Sequence, residues 1–147
     1  MELPEYVTVD EVKRVCKDLK IRDWTTLKEA TVLPEEARVI LDEVNVEGMH
    51  IDLDDFRRGL EVELEHGVRF KDANVTNNHP ILTGKIVLAH LKESLDYYKR
   101  LEVAELEGDL LKALVAKDWA KVKNMYQELA EAKRILSQAE SEQLGSK

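Results

Sequence analysis

Helix breakers are scarce in this chain: three prolines and six glycines punctuate 147 residues. Proline removes an amide donor and glycine raises the entropic cost of a helix, so their scarcity leaves long stretches free to coil. Leu, Glu, Lys and Ala dominate what remains, and all four favour helix, while strand signals are almost absent. The chain is expected to be all-α, a compact bundle of five or six helices with a C-terminal helical hairpin. We read residues 1–147 as a single helical domain in three stretches.

Residues 1–50 hold the N-terminal helices. Thr8 with Glu11 three positions on is a capping box, and Val9, Val12, Val15, Cys16 and Leu19 then mark one helix face. Trp24 and Leu27 sit in a connector. Pro34, Glu35 and Glu36 open a second helix, with acids in its first turn to complement the dipole.

Residues 51–101 hold a pair of core helices. Asp52 caps a helix that runs through Phe56, Leu60 and Leu64 to His66, where Gly67 ends it. A polar loop follows, and Pro80 begins a helix from Ile81 to Leu101. Its apolar residues cover most of the circumference, as in a central helix touched from several sides.

Residues 102–147 form the hairpin. Val103, Leu106, Leu110 and Leu114 make one seam. Asp118 caps the next helix, where Trp119, Val122, Tyr126, Leu129 and Leu136 make the facing seam with Lys133 interrupting it. Trp24 and Trp119 are expected as core anchors.

Composition bounds the function. Thirty acidic residues against twenty-two Lys and Arg leave a net charge of −8, with no basic cluster in the sequence, which argues against nucleic acid or an anionic membrane as partner. No apolar run approaches the roughly 20 residues that span a bilayer. The acidic start lacks an export signal, so a cytoplasmic location is expected. The lone Cys16 is expected to be buried and inert. Gly84-Lys85 is no phosphate loop, because His79 and Ile86 stand where that motif needs Gly and Ser or Thr. No G-x-G-x-x-G, H-E-x-x-H, C-x-x-C or G-x-S-x-G is present.

One constellation carries chemistry. Glu63 and His66 are three apart on the first core helix, and His90 and Glu93 repeat the pair in reverse on the second. Residues three apart share a helix face. With Phe56 at zero, Leu60 falls at about 40° and Glu63 at about 340°, so this carboxylate lies on the apolar face. A buried carboxylate needs a partner. That partner is either a Zn, Fe or Mn ion held by Glu63, His66, His90 and Glu93, with Tyr97 donating a hydrogen bond from one turn beyond, or the opposite helix through Glu63–His90 and Glu93–His66 pairs. His79 is read as an exposed loop histidine. No nucleophile accompanies the carboxylates, so catalytic residues stay unassigned. The alternative to a metal protein is a non-catalytic interaction module whose C-terminal hairpin binds a second copy or another protein.

The run Asp55-Phe56-Arg57-Arg58-Gly59-Leu60-Glu61-Val62-Glu63-Leu64-Glu65-His66-Gly67, followed by Asn74-Val75-Thr76-Asn77, Pro80, Gly84-Lys85-Ile86, Ala89-His90-Leu91, Glu93, Asp96-Tyr97-Tyr98 and Arg100-Leu101, resembles an uncharacterised prokaryotic family of small helical proteins. The resemblance covers about 50 of the 147 residues and implies no activity. It places Glu63, His66, His90 and Glu93 inside the family pattern. His79 stands where that pattern has an acid, and Leu95 where it has proline, which implies a more continuous central helix here. Residues 1–50 and the hairpin fall outside the resemblance and are expected to be specific to this chain.

Overall fold

The structure, a computed structural model, describes residues 6–145. Six helices follow in order: α1 (Val9–Leu19), α2 (Pro34–Val44), α3 (Leu53–Arg69), α4 (Pro80–Glu93), α5 (Tyr97–Val115) and α6 (Trp119–Gly145), with single 3-10 turns at Trp24–Thr26 and Lys71–Ala73. No strand occurs among the described residues, so the all-α expectation holds. Nor is any helix among them long and apolar enough to cross a membrane. The helices fall into two compact units, one carrying α1–α4 and one carrying α5 and α6.

In the first unit, local chemistry sets the helix starts. Thr8 Oγ1 accepts from the Glu11 amide at 3.2 Å, and Asp52 accepts from the Asp54 and Asp55 amides at 2.9 and 3.1 Å. Pro34 occupies the first position of α2, and Glu36 reaches back to the Leu33 amide at 3.0 Å. Lys20 closes α1 in the left-handed conformation at φ 58°.

The core of this unit gathers Val12, Cys16, Trp24, Ile40, Phe56, Leu60, Leu64 and Val87, all essentially buried. Helix α4 packs on α1, α2 and α3, the central position its all-round apolar surface implies. Gly84 makes this possible. A Cβ there would stand 2.6 Å from Ile40 Cγ2, so only glycine lets α4 approach α2 this closely.

Two expectations about helix ends are corrected. Gly67 does not terminate α3, which continues to Arg69. Its missing side chain serves a close approach instead: a Cβ would lie 2.2 Å from Asn78 Oδ1 and 2.8 Å from Asn74 Oδ1. And the helix from Ile81 does not reach Leu101. It stops at Glu93, and α5 starts at Tyr97, with no proline at the break. Serine and aspartate compete locally with helical bonding: the Ser94 hydroxyl donates to the Asp96 carboxylate, and the Tyr97 amide to the Ser94 carbonyl at 3.1 Å.

The second unit is the expected hairpin. Asp118 Oδ1 accepts from the Lys121 amide at 3.1 Å, as its role as a cap requires. The seam differs in detail. On α5 the buried positions are Tyr98 and Ala113, and Leu114 is 42% exposed. On α6, Leu129 and Ala132 are buried and Val122, Met125 and Leu136 are half-buried, whereas Trp119 and Tyr126 are 66% and 65% exposed. Trp119 is therefore no core anchor. The apolar stripe of α6 is wider than one neighbouring helix can cover, and its far edge stays in solvent. Lys133 sits beside the seam and pairs with Glu107 of α5 at 2.9 Å.

At the open end of the hairpin, Asp96 is 2% exposed and accepts from Arg100 Nε and Nη2 at 2.9 and 2.8 Å and from Gln143 Nε2 at 3.2 Å. Arg100 also meets Glu140 at 2.9 Å. The start of α5 is thereby tied to the end of α6. The Arg100 guanidinium, with Ser94 and Gln143, outweighs burial and holds the Asp96 carboxyl at about 2.

Candidate functional site

Glu63 faces His90 at one level, and Gly67 faces the Asn74–Asn78 loop that leads into α4 at the other. The distance from Glu63 Oε1 to His90 Nε2 is 3.7 Å, with the Glu63 side chain 16% exposed and the His90 side chain 32% exposed. That separation is longer than a hydrogen bond, and it is an ion pair only when His90 carries a proton.

The other two candidates are not drawn into this contact. Both His66 and Glu93 are exposed. Among the described residues, no three His, Cys, Asp or Glu side chains gather as the ligands of a metal ion. Tyr97, expected one turn beyond Glu93, begins the next helix and stacks edge-on with Tyr98 at 5.1 Å between centroids.

A small groove of about 190 Å³ lies beside this pair, lined in part by Glu63, His66, Asn74, Thr76, Asn78 and Thr83. Three of its polar side chains, Asn74, Asn78 and Thr83, hold the chain together. Asn74 Oδ1 accepts from the Asn78 amide at 3.2 Å, and Asn78 Nδ2 donates to the Trp24 carbonyl at 3.3 Å. Asn77 Nδ2 donates to the Val7 carbonyl at 2.6 Å, and the Thr83 hydroxyl to the His79 carbonyl at 2.9 Å. Asn77 and Asn78 both adopt left-handed backbone, φ 50° and 60°, which asparagine tolerates better than most residues. The Asn-Val-Thr-Asn segment is thus a buckle that fastens α1 and the Trp24 turn to the α3–α4 pair. Three asparagines in five residues were the signal for it.

His79 is the clearest correction among the histidines. It is 8% exposed and caps α4: its Nδ1 accepts from the Ile81 and Leu82 amides at 3.2 and 3.4 Å. An imidazole can do this only when neutral. Burial lowers its pKa below 6.5, against the opposing pull of Glu11.

A second buried carboxylate escaped the sequence reading. Glu36, 1% exposed, accepts from Arg22 N, Nε and Nη2 at 3.1, 2.9 and 2.6 Å. Burial raises its pKa, but the Arg22 and Leu33 donors outweigh it and hold the group ionised. Cys16 is buried as expected, and burial pushes its thiol up, away from the nucleophilic form. A cleft of about 480 Å³ runs past Lys28, Glu29, Arg58, Glu61 and Glu65. Two of its carboxylates are engaged: Glu61 binds the Val32 amide and Arg57, and Glu65 binds Arg69.

The largest chemical anomaly is elsewhere, on the hairpin. At 100° per residue, Leu111 and Leu114 flank the α5 seam on the same side as Glu107, and Trp119 and Tyr126 flank the α6 seam on the same side as Lys133. The Glu107–Lys133 pair shows that these two sides adjoin. Leu111, Leu114, Trp119 and Tyr126, between 42% and 66% exposed, therefore form one apolar flank.

No curated protein and no solved structure matches this chain. One family does, over residues 12–107. The match starts inside α1, so the N-terminal helices are family features after all. Their packing explains it: Val12, Cys16, Trp24 and Ile40 complete the core around α3 and α4. The chain belongs to the family described as Protein of unknown function (DUF5661).

Proposed function

We propose that the chain is a non-catalytic interaction module. Helices α1–α4 are its stable platform, the Glu63–His90 contact is part of that platform, and the α5–α6 hairpin presents the binding surface. The observation that carries this reading is the apolar flank of Leu111, Leu114, Trp119 and Tyr126. Contiguous exposed apolar surface of this kind marks interaction sites on soluble proteins. The partner is a protein, not nucleic acid, in keeping with the net charge of −8. The module works in the cytoplasm, where the lone Cys16 thiol stays reduced.

A photo-crosslinking amino acid placed at position 119, in the cell that makes the protein, tests this. The control position is Lys85, exposed on α4. Protein adducts at 119 and none at 85 support the reading. Equal or absent adducts at both positions contradict it.

A further inference from the structure

Helix α1 is held less firmly than the rest of its unit. It packs on α4 and on the Trp24 turn. It buries two residues, Val12 and Cys16, where α2, α3 and α4 bury five or six each. The chain just beyond it is anchored. Arg22 is tied by three hydrogen bonds to the buried Glu36 of α2, and the Trp24 carbonyl accepts from the side-chain amide of the buried Asn78. Between the lightly held helix and this anchor stands Lys20, whose left-handed conformation turns the chain out of α1. A helix-terminal turn in that position is where a hinge absorbs backbone rotation.

One polar clasp joins the segment leading into α1 to the loop before α4: Asn77 Nδ2 donates to the Val7 carbonyl at 2.6 Å. Two residues on stands His79, 8% exposed. The charged groups that face it are Glu11 and Arg14 on α1 and Lys85 on α4. Glu11 is itself claimed by Arg14, at 3.0 and 2.7 Å, so it compensates little for a charge on His79, and Arg14 and Lys85 oppose one. With Nδ1 accepting from the Ile81 and Leu82 amides, the buried ring has no place for a second proton.

We propose that α1 is a flap hinged at Lys20, clasped by Asn77 and released when His79 takes up a proton. Lifting α1 lets the His79 ring turn out to water, where it protonates as an ordinary imidazole. The open form then binds the proton more tightly than the closed one, and acid shifts the population toward it. The closed form holds the His79 pKa below 6.5, so opening grows as pH falls through 6.5 and levels off below the closed value. An eleven-residue helix is too short to persist alone, so a lifted α1 loses its amide protection and bares the Cys16 thiol.

Hydrogen exchange of the full chain, read on peptides of α1 and of α3 and normalised to intrinsic rates at each pH, tests the flap. Labelling of Cys16 by 4,4′-dithiodipyridine, normalised to the urea-unfolded chain at the same pH, is the second readout. Between about pH 7.5 and about pH 5.5, α1 of the parent is expected to lose protection by at least about threefold, and Cys16 to label faster by the same factor, while α3 changes less. His79→Asn keeps a capping acceptor without a titrating group and is expected to abolish that fall. Asn77→Gly accommodates the backbone φ of 50° and removes the clasp, so α1 should exchange at least about threefold faster at both pH values and α3 should change less. Equal loss of protection in α1 and α3 of the parent, a comparison that needs no variant, makes the opening global and overturns the flap. No fall in the parent, or an equal fall in His79→Asn, overturns His79 as its release. Exchange of α1 in Asn77→Gly equal to the parent's overturns the clasp.

Discussion

Glu63 and His90 meet across α3 and α4 at 3.7 Å, while His66 and Glu93, each three positions from one of them, are exposed. The two Glu/His pairs of the sequence are thereby reduced to one contact. A partly exposed ion pair of this geometry contributes at most about 1 kcal/mol. Glu63→Gln should therefore lower stability by less than about 1 kcal/mol, measured by urea denaturation. Purified parent and a His66→Ala/His90→Ala variant should carry equally little Zn, Fe or Mn by elemental analysis, and a chelator should leave the melting temperature of both unchanged. Near-stoichiometric metal in the parent alone would establish the metal site instead.

His79 makes stability depend on pH. Its folded pKa lies below 6.5, so the neutral cap stabilises fully above that value. As pH falls through 6.5 the unfolded chain takes up a proton that the folded chain resists, and the contribution is lost once pH passes the folded pKa. A positive charge would also oppose the dipole at the start of α4. Replacement by asparagine keeps an acceptor without a titrating group. His79→Asn should then show a shallower loss of urea midpoint between about pH 7 and pH 5, and His79→Ala should lose about 1 kcal/mol at pH 7.

Glycine replacements should separate by sign. Gly67→Ala drives a methyl group into Asn78 and Asn74, and Gly84→Ala drives one into Ile40. Each is expected to destabilise by about 1–3 kcal/mol through overpacking. Gly108→Ala meets open space in a helix. It should stabilise by about 0.5–1 kcal/mol. Thermal melts of the three variants read all of these.

Asp96 anchors the hairpin's open end. Its carboxyl, held at about 2 against an ordinary 3.8, contributes stability present above 3.8 and lost as pH falls through 2. Asp96→Ala removes the acceptor for Arg100 and Gln143, and should cost about 1–3 kcal/mol. Amide hydrogen exchange should show the loss as faster exchange at the first turns of α5 and the last turns of α6.

These sites also show what a sequence can disclose. Helix starts were legible at Thr8, Pro34, Asp52 and Asp118, because a cap acts within three residues. The class of fold followed from composition, and the central place of α4 from its all-round apolar surface. The break at Ser94–Asp96 was not legible, since Asp96 is fixed partly by Gln143, forty-seven positions away. Gly67 read as a stop because its true neighbours, Asn74 and Asn78, come back from the following loop. The Glu36–Arg22 pair joins residues fourteen apart that share no helix. Periodicity put Trp119 and Tyr126 in the packed seam, and the structure leaves them exposed, because period alone does not say which edge of a wide stripe a neighbour covers. The Glu63–His90 contact joins two helices, and neither helix alone marks which residue of the other it meets.

The account places structure in the α3–α4 pair and binding on the hairpin. One comparison separates these directly: the yield of photo-crosslinked adduct from a probe at position 126 in three backgrounds. The parent and Glu63→Gln/His90→Gln should give the same yield, and Trp119→Glu should lose the adduct. Loss of the adduct in the Glu63→Gln/His90→Gln background, with Trp119→Glu unaffected and both proteins folded, would contradict the account.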